Sequence, residues 1–188
     1  DSFKGSLSAE GVCAALESGL RRVLPDAEIV RRPMADGGEG TLDAVVTALA
    51  TNGNGTGARR KQALVRNAAG QSAEAGYALI RHGIYEAAVI EVAQIVGIED
   101  AHNMAVPVAD RSSYGVGELM RLLIAEGIRH FFIGLGGTST NDGGAGLLAA
   151  LGVRFVGTFR REIDPSPGGL AKLISVDVTG LDARLADC

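Results

Sequence analysis

Aromatic side chains are scarce in this 188-residue sequence, which has no tryptophan, three tyrosines and five phenylalanines. Proteins that bind single-stranded nucleic acids stack bases on such side chains, and few of them are available here. Basic residues are also fewer than acidic ones, 18 against 22, and they form no stripe along the chain. With a formal net charge of −4, the sequence predicts no nucleic-acid partner.

Cysteine and long apolar runs are nearly absent as well. Cys13 and Cys188 stand near opposite ends of the chain, which does not indicate the framework of a disulfide-rich secreted domain. Cys13 falls in a helical pattern, where it fits a small core residue. No apolar run approaches the roughly 18 residues that a membrane helix needs, and no signal peptide opens the sequence. These absences predict a cytoplasmic protein without a membrane partner.

Glycine, by contrast, is abundant. It supplies 27 of the 188 residues, about twice the usual share. The glycines have no three-residue period, which excludes collagen, and they cluster in a few loops. Such loops occur where the backbone turns sharply or lies close to a ligand.

The hydrophobic pattern predicts an α/β protein. Helices are expected after Ser8 as far as Pro25, and over 42–49, 116–125 and 147–151. Strands are expected at 27–32, 63–65, 75–80, 85–92, 131–133, 153–156 and 174–178. Three of these strands follow one another closely between 63 and 92, which indicates an antiparallel meander. The linker-like stretch TNGNGTG at 51–57 is the candidate domain boundary.

Two short loops precede predicted helices, where unpaired N–H groups attract anions. DSFKGSLS at 1–8 adds the charge of Lys4 and the hydroxyls of Ser2 and Ser6. ADGGEGT at 35–41 adds adjacent glycines, and its two acidic residues, Asp36 and Glu39, suit Mg²⁺ or a base acting on a hydroxyl. Ordinary helix capping explains either loop when it is taken alone.

The third loop, GLGGTSTNDGGAG at 134–146, is the most specific. It has six glycines in thirteen residues and lies between a buried strand and a helix, where backbone amides form anion-binding nests. It is not a P-loop, because no Gly-Lys-Ser/Thr follows. It is not the dinucleotide fingerprint either, because the third glycine would fall at Ser139. The interpretation that remains is a phosphate-binding loop of a different kind. The alternative is a tight corner that only connects a strand to a helix.

Together these stretches resemble the signature sequences of type I glycerate kinases. The matching segments are DSFKGSLSA at 1–9, PMADGGEGT at 33–41, SSYGVGEL at 112–119, IGLGGTSTNDGGAG at 133–146 and VDVTGLDARL at 176–185. The resemblance implies two unlike α/β domains with a cleft between them, ATP with Mg²⁺ as cofactors, and glycerate as acceptor, with the 2-hydroxyl favoured. We expect residues 1–60 to belong to an incomplete Rossmann-like parallel-sheet domain and 61–188 to form a second, mixed-sheet α/β domain.

Phosphoryl transfer requires positioning and charge neutralisation, so we predict roles for the polar residues of these loops. The predicted catalytic residues are Asp36, as base or metal ligand, and Lys4. Substrate contacts are predicted for Ser2, Ser6, Ser139, Asn141 and Asp142, and phosphate contacts for Gly37, Gly38, Gly136, Gly137 and Thr138. Asp142 is also the predicted Mg²⁺ ligand.

The resemblance also implies an opening strand before Asp1 and a chain about as long again after Cys188. We therefore expect these 188 residues alone to be a poor kinase. The sequence is also compatible with a homodimer. Two rival functions are considered. A Rossmann dehydrogenase is opposed by the missing third glycine, and a non-catalytic acid-binding fragment would show no glycerate-dependent hydrolysis of ATP.

Overall fold

The computed structural model describes residues 1–51 and 57–188 and has an α/β fold built on a four-stranded mixed sheet. The strands are β1 (Arg59–Arg66), β2 (Ser72–His82), β3 (Tyr85–Glu91) and β4 (His130–Gly134), in that spatial order. β1, β2 and β3 form the predicted antiparallel meander, and β4 pairs parallel to β3. The predicted α/β class and the predicted mixed sheet are both confirmed.

Seven helices and a second, two-stranded sheet complete the described elements. The helices are α1 (Ala9–Val23), α2 (Thr41–Thr51), α3 (Ala93–Val96), α4 (Ala101–Met104), α5 (Tyr114–Ala125), α6 (Ala145–Ala150) and α7 (Pro167–Leu170). Strands β5 (Arg154–Val156) and β6 (Ser175–Asp177) pair antiparallel. Short 3₁₀ turns lie at Val108–Asp110, Thr158–Arg160 and Ala183–Asp187. Among these described helices, none is long and apolar enough to span a membrane.

Successive side chains of β2 and β3 point to opposite faces of the sheet, and both faces are buried. Tyr77 and Ile90 belong to the larger core, which is covered by α5, while Ala78 and Val89 pack on the opposite face against Leu42 of α2. This period of two is what a strand with two covered faces requires. The result is a three-layer arrangement in which α2 and α5 sandwich the sheet, and the loops that enter both α2 and α6 start near one end of β3 and β4.

Helix α1 forms as predicted but buries none of its residues. The Ser8 side chain accepts a hydrogen bond from the Gly11 N–H and caps the helix, which confirms the predicted start. Its apolar face remains exposed: Leu16 is 61% exposed and Val23 is 78% exposed.

The strand predicted at 27–32 is wrong, because this segment has no regular structure. A strand is held by ladder hydrogen bonds to a neighbour, and no strand of the described residues lies beside this segment. The candidate linker falls largely on residues 52–56, which lie outside the described residues. The boundary between 60 and 61 stays a prediction. Helix α2 packs across it, since Leu42 contacts the core of β2 and β3.

Candidate active site

The two glycine-rich loops contact each other backbone to backbone. The Gly136 N–H donates to the Gly37 carbonyl oxygen over 2.9 Å. A methyl group on Gly134 would lie 2.6 Å from the Gly37 carbonyl oxygen, and one on Gly136 would lie 2.5 Å from the Gly38 nitrogen. Real side chains never approach backbone atoms this closely, so glycine is required at both positions. The structure thereby brings together all four glycines predicted to bind phosphate, at 37, 38, 136 and 137.

Within the loop over 35–41, backbone amides are already used by neighbouring side chains. The Gly38 N–H donates to Asp36 Oδ1 over 2.9 Å, and the Gly37 N–H donates to Thr41 Oγ1 over 3.1 Å. These bonds fix the turn that leads into α2. Asp36 itself is exposed, so its second carboxylate oxygen is available to a ligand.

Glu39 points back at the other glycine loop. A methyl group on Gly137, whose φ is +68°, would lie 2.3 Å from Glu39 Oε1. That oxygen is buried and has no hydrogen-bond donor among the described residues. A buried carboxylate oxygen without a donor is costly, and it marks a position that a bound ligand or cation can satisfy.

The first loop forms one wall of a cavity of about 320 Å³. Residues 2–9 line it on one side, and Glu39, Gly40, Asp43 and Glu99 line it on the other. A tight turn closes the loop, because the N–H groups of Ser6 and Leu7 both donate to the Phe3 carbonyl oxygen. The Ser6 hydroxyl donates to the same oxygen over 2.9 Å. The predicted residues Ser2, Lys4 and Ser6 thus share a cavity with the end of the ADGGEGT loop.

Lys4 is exposed in this cavity wall. Within the described part of the chain, no carboxylate lies within 4 Å of its ammonium group, so its charge is not consumed by an ion pair. An unpaired ammonium group beside a cavity is suited to bind an anion.

Asp142 is buried at the far end of the third loop and organises two helix starts. Its Oδ2 accepts from the N–H and the hydroxyl of Ser113, over 2.7 and 2.8 Å, and from the Gly146 N–H over 3.1 Å. Its Oδ1 accepts from the Gly144 N–H over 3.1 Å. The Ser113 hydroxyl then accepts from the Leu147 N–H, so it caps α6 and makes no cap bond to its own helix α5. Four donors occupy the Asp142 carboxylate, a geometry that favours a positioning role.

Ser139 is also held from behind the loop. Its N–H and its hydroxyl both donate to the Val96 carbonyl oxygen, over 2.8 and 2.9 Å. The buried guanidinium of Arg111 donates to the Ser139 carbonyl oxygen over 3.1 Å. Both residues fix the loop against α3 and the segment that follows it.

Around these two anchors, the loop presents hydrogen-bond donors that no described residue uses. No acceptor within the described ranges makes a hydrogen bond with the N–H groups of Gly137, Thr140, Asn141 and Gly143. The hydroxyls of Thr138 and Thr140 are likewise unpaired with any described residue, and Asn141 is exposed. Successive unpaired amides in a turn form an anion-binding concavity.

The structure does not decide the roles predicted for individual residues. It places Lys4 in one cavity with Glu39 and Gly40 of the ADGGEGT loop, and it places the paired glycines of that loop and of the third loop in contact. Ser139 and Asp142 lie buried in the support of the loop, and their predicted contacts with substrate and metal stay predictions. Nor do His, Cys, Asp and Glu side chains of the described ranges form a group of three able to hold a metal ion.

Sequence analysis gave no role to Glu91, a fully buried carboxylate at the end of β3. Its signal was a single charged residue inside the apolar run AAVIEVA at 87–93. A charged side chain in such a run is expected to be buried only where hydrogen-bond donors or an opposite charge lie beside it. Arg111 was also missed, and no local pattern indicated that it would be buried.

Comparison with known proteins identifies the family of this chain. The model of the glycerate kinase family matches residues 1–188. A protein of Bacillus cereus named glycerate kinase is 39% identical over 190 residues, which cover 98% of this chain and 46% of that protein. A protein of Escherichia coli named glycerate 2-kinase is 38% identical, over 100% of this chain and 47% of its own length.

The fold is similar to a crystal structure from Salmonella typhimurium LT2 of a provisionally named glycerate kinase 2. The TM-score is 0.72 at 40% identity, and the match covers all of this chain and 48% of the other. The chain therefore spans about half the length of the relatives that it matches. The family model covers the whole sequence, and in the structure the ADGGEGT loop contacts the third loop and shares a cavity with the first. This chain belongs to the glycerate kinase family.

Proposed function

We propose that the protein carrying this chain is a glycerate kinase, which transfers the γ-phosphoryl group of ATP to the 2-hydroxyl of glycerate. The observation that carries this proposal is the backbone contact between the two glycine loops: the third loop presents amides that no described residue uses, and the ADGGEGT loop also lines the Lys4 cavity. The 2-position is supported by the relative from Escherichia coli that is named glycerate 2-kinase.

In this proposal the third loop binds phosphate oxygens. The unpaired N–H groups of Gly137, Thr140, Asn141 and Gly143 donate to them, together with the hydroxyls of Thr138 and Thr140. Lys4, in the wall of the cavity that Glu39 and Gly40 also line, neutralises a second anionic group, either another phosphate or the carboxylate of glycerate. Fixed donors of this kind stabilise the charge of a transferring phosphoryl group without reorganising during the reaction.

Asp36 is the proposed base. Its Oδ1 accepts the Gly38 N–H, which holds the side chain in place, while its other oxygen takes the proton of the attacking hydroxyl. Gly37 and Gly38 have already donated their amides within the loop. We therefore assign them the close packing of the two loops in place of direct phosphate binding.

Two carboxylates of the same loop fit Mg²⁺, which takes one or two carboxylates and completes its shell with waters and substrate phosphates. These are Glu39, whose buried Oε1 lacks a donor among the described residues, and, as the alternative to its role as base, Asp36 through its second oxygen. When bound, Mg²⁺ supplies positive charge to the phosphates. Asp142 fits less well because four protein donors already occupy its carboxylate. We assign it the positioning of α5 and α6.

A cytoplasmic location is part of the same proposal. Both Cys13 and Cys188 are free thiols, which suits a reducing cytoplasm. The homodimer stays a prediction.

The test uses the longest natural polypeptide that carries this segment. We expect ADP release that depends on ATP, Mg²⁺ and glycerate together, and phosphorus NMR of the product should identify 2-phosphoglycerate. ATP consumption that ignores glycerate, or binding of glycerate without turnover, would favour the non-catalytic alternative. Binding of NAD by calorimetry would favour the dehydrogenase.

A further inference from the structure

The carboxylate of Glu91 is buried and is held entirely by amide donors. Glu91 is 0% exposed. Its Oε2 accepts from the Leu42 N–H over 2.8 Å, and its Oε1 accepts from the Gly40 N–H over 3.3 Å and the Gln94 side-chain amide over 3.0 Å. Over residues 1–51 and 57–188, no Lys, Arg or His nitrogen forms an ion pair with it. Burying an unpaired charge is costly, so a residue that merely filled this space would be apolar.

Glu91 contacts the supports of both glycine loops. Its side chain holds Gly40 and Leu42, where the ADGGEGT loop becomes α2. Its backbone pairs in parallel register with Gly134, the last residue of β4, and the next N–H, that of Val92, donates to the Gly134 carbonyl oxygen over 3.0 Å. The third loop begins at Gly134. Glu91 therefore helps to fix the position of one loop relative to the other, in addition to the direct backbone contact between Gly136 and Gly37.

The charge of Glu91 also decides where a ligand anion can bind. A helix N-terminus carries a partial positive charge and unpaired amides, which bind phosphate when they are open. At α2 the Glu91 carboxylate already occupies two of these amides, those of Gly40 and Leu42. These two amides are thereby closed to a substrate anion, which is left to the unpaired amides over 137–143.

We propose that Glu91 is a positioning residue for phosphoryl transfer, acting through the ADGGEGT loop. It holds Asp36 and Glu39 against the third loop and keeps the start of α2 closed to anions. This inference rests on the proposed kinase function.

The decisive variants are Glu91→Gln and Glu91→Asp in the full-length protein. Gln keeps the shape but turns an N–H₂ group toward amides that need an acceptor, and Asp keeps the charge but is one methylene too short to reach both amides. A misplacement of about 1 Å away from the chemistry can cost on the order of 100-fold in rate. We expect kcat to fall by about that factor in Glu91→Gln and by about tenfold in Glu91→Asp, while the KM for ATP moves less than threefold.

Asp100→Asn is the matched control, since Asp100 also accepts a helix-start amide, that of His102 over 2.8 Å, but at α4. Its kcat should stay within twofold of the wild type. Kinetics are measured at a temperature where thermal melts show every variant folded. If Glu91→Gln does not fold, Glu91→Asp decides alone. A folded Glu91 variant with wild-type kcat overturns this inference, whereas a wild-type protein without glycerate-dependent turnover overturns the proposed function instead.

Discussion

At the scale of single residues, the exposed carboxylate of Asp36 and the exposed ammonium group of Lys4 should contribute to activity in different ways. Asp36→Asn retains the Oδ1 that accepts the Gly38 N–H, so the loop keeps its shape while the charge and the proton acceptor are lost. We expect kcat to fall by roughly 10²–10⁴, with little change in the KM for glycerate because ground-state binding is retained. Lys4→Met removes a cation that binds an anionic group throughout the reaction. It should raise the KM for glycerate or ATP and also lower kcat.

Steady-state kinetics beside thermal melts separate these two effects from a loss of folding. Lys172→Met serves as the control for Lys4→Met, because Lys172 is likewise exposed but lies just after α7, in a part of the chain that contributes nothing to the cavity. An Asp36→Asn enzyme that keeps more than about a tenth of the wild-type kcat would leave Asp36 with only its turn-forming bond to Gly38. Unchanged KM values in Lys4→Met would show that Lys4 binds neither glycerate nor ATP.

At the scale of elements, the backbone contact between the two glycine loops gives the next prediction. A methyl group in Gly136→Ala would lie 2.5 Å from the Gly38 nitrogen, and a backbone atom cannot rotate away as a side chain can. The loops must separate, which should lower kcat/KM at least tenfold and cost about 1–3 kcal/mol of stability. Gly127→Ala, in the turn between α5 and β4, is the control: its φ is +94°, but no atom lies within 4 Å of the added methyl. It should cost roughly 1 kcal/mol, with a smaller loss of activity. Equal losses of activity in the two variants would mean that a general loss of stability, not the loop contact, is responsible.

What could be predicted from the sequence at this scale depends on how local each signal is. The start of α1 follows from Ser8 and the apolar residues spaced along one helix, and the meander follows from three strands separated by short turns. The contacts that build the site span much larger separations: Glu91 accepts from an amide 49 residues away, and Asp142 from one 29 residues away. No periodic pattern encodes such pairs. The segment at 27–32 has the composition of a strand, but a strand also needs a neighbour, which composition does not supply.

At the scale of the whole molecule, the candidate site is assembled from three distant parts of the chain, at 1–8, 35–41 and 134–144. The first of these precedes a helix that buries no residue, while the third is anchored to the main core through Val96. Their stabilities should therefore differ in the absence of ligand, because segments with few buried contacts open more readily. The sequence predicted each loop separately from its glycines and hydroxyls. That the loops converge is a property of the sheet order and of the packing of α2.

This convergence predicts that one set of ligands protects all three loops together. Binding at 100 times Kd stabilises the bound state by about 2.7 kcal/mol. In the full-length protein, Mg²⁺-ATP with glycerate should therefore slow amide hydrogen exchange in each loop, by up to roughly 100-fold where exchange requires the site to open. The sheet of β5 and β6, which is separate from the main sheet, provides the internal control and should change little. Protection confined to 134–144 would mean that the third loop binds the nucleotide alone. In that case the Lys4 cavity and the ADGGEGT loop would lie outside the active site.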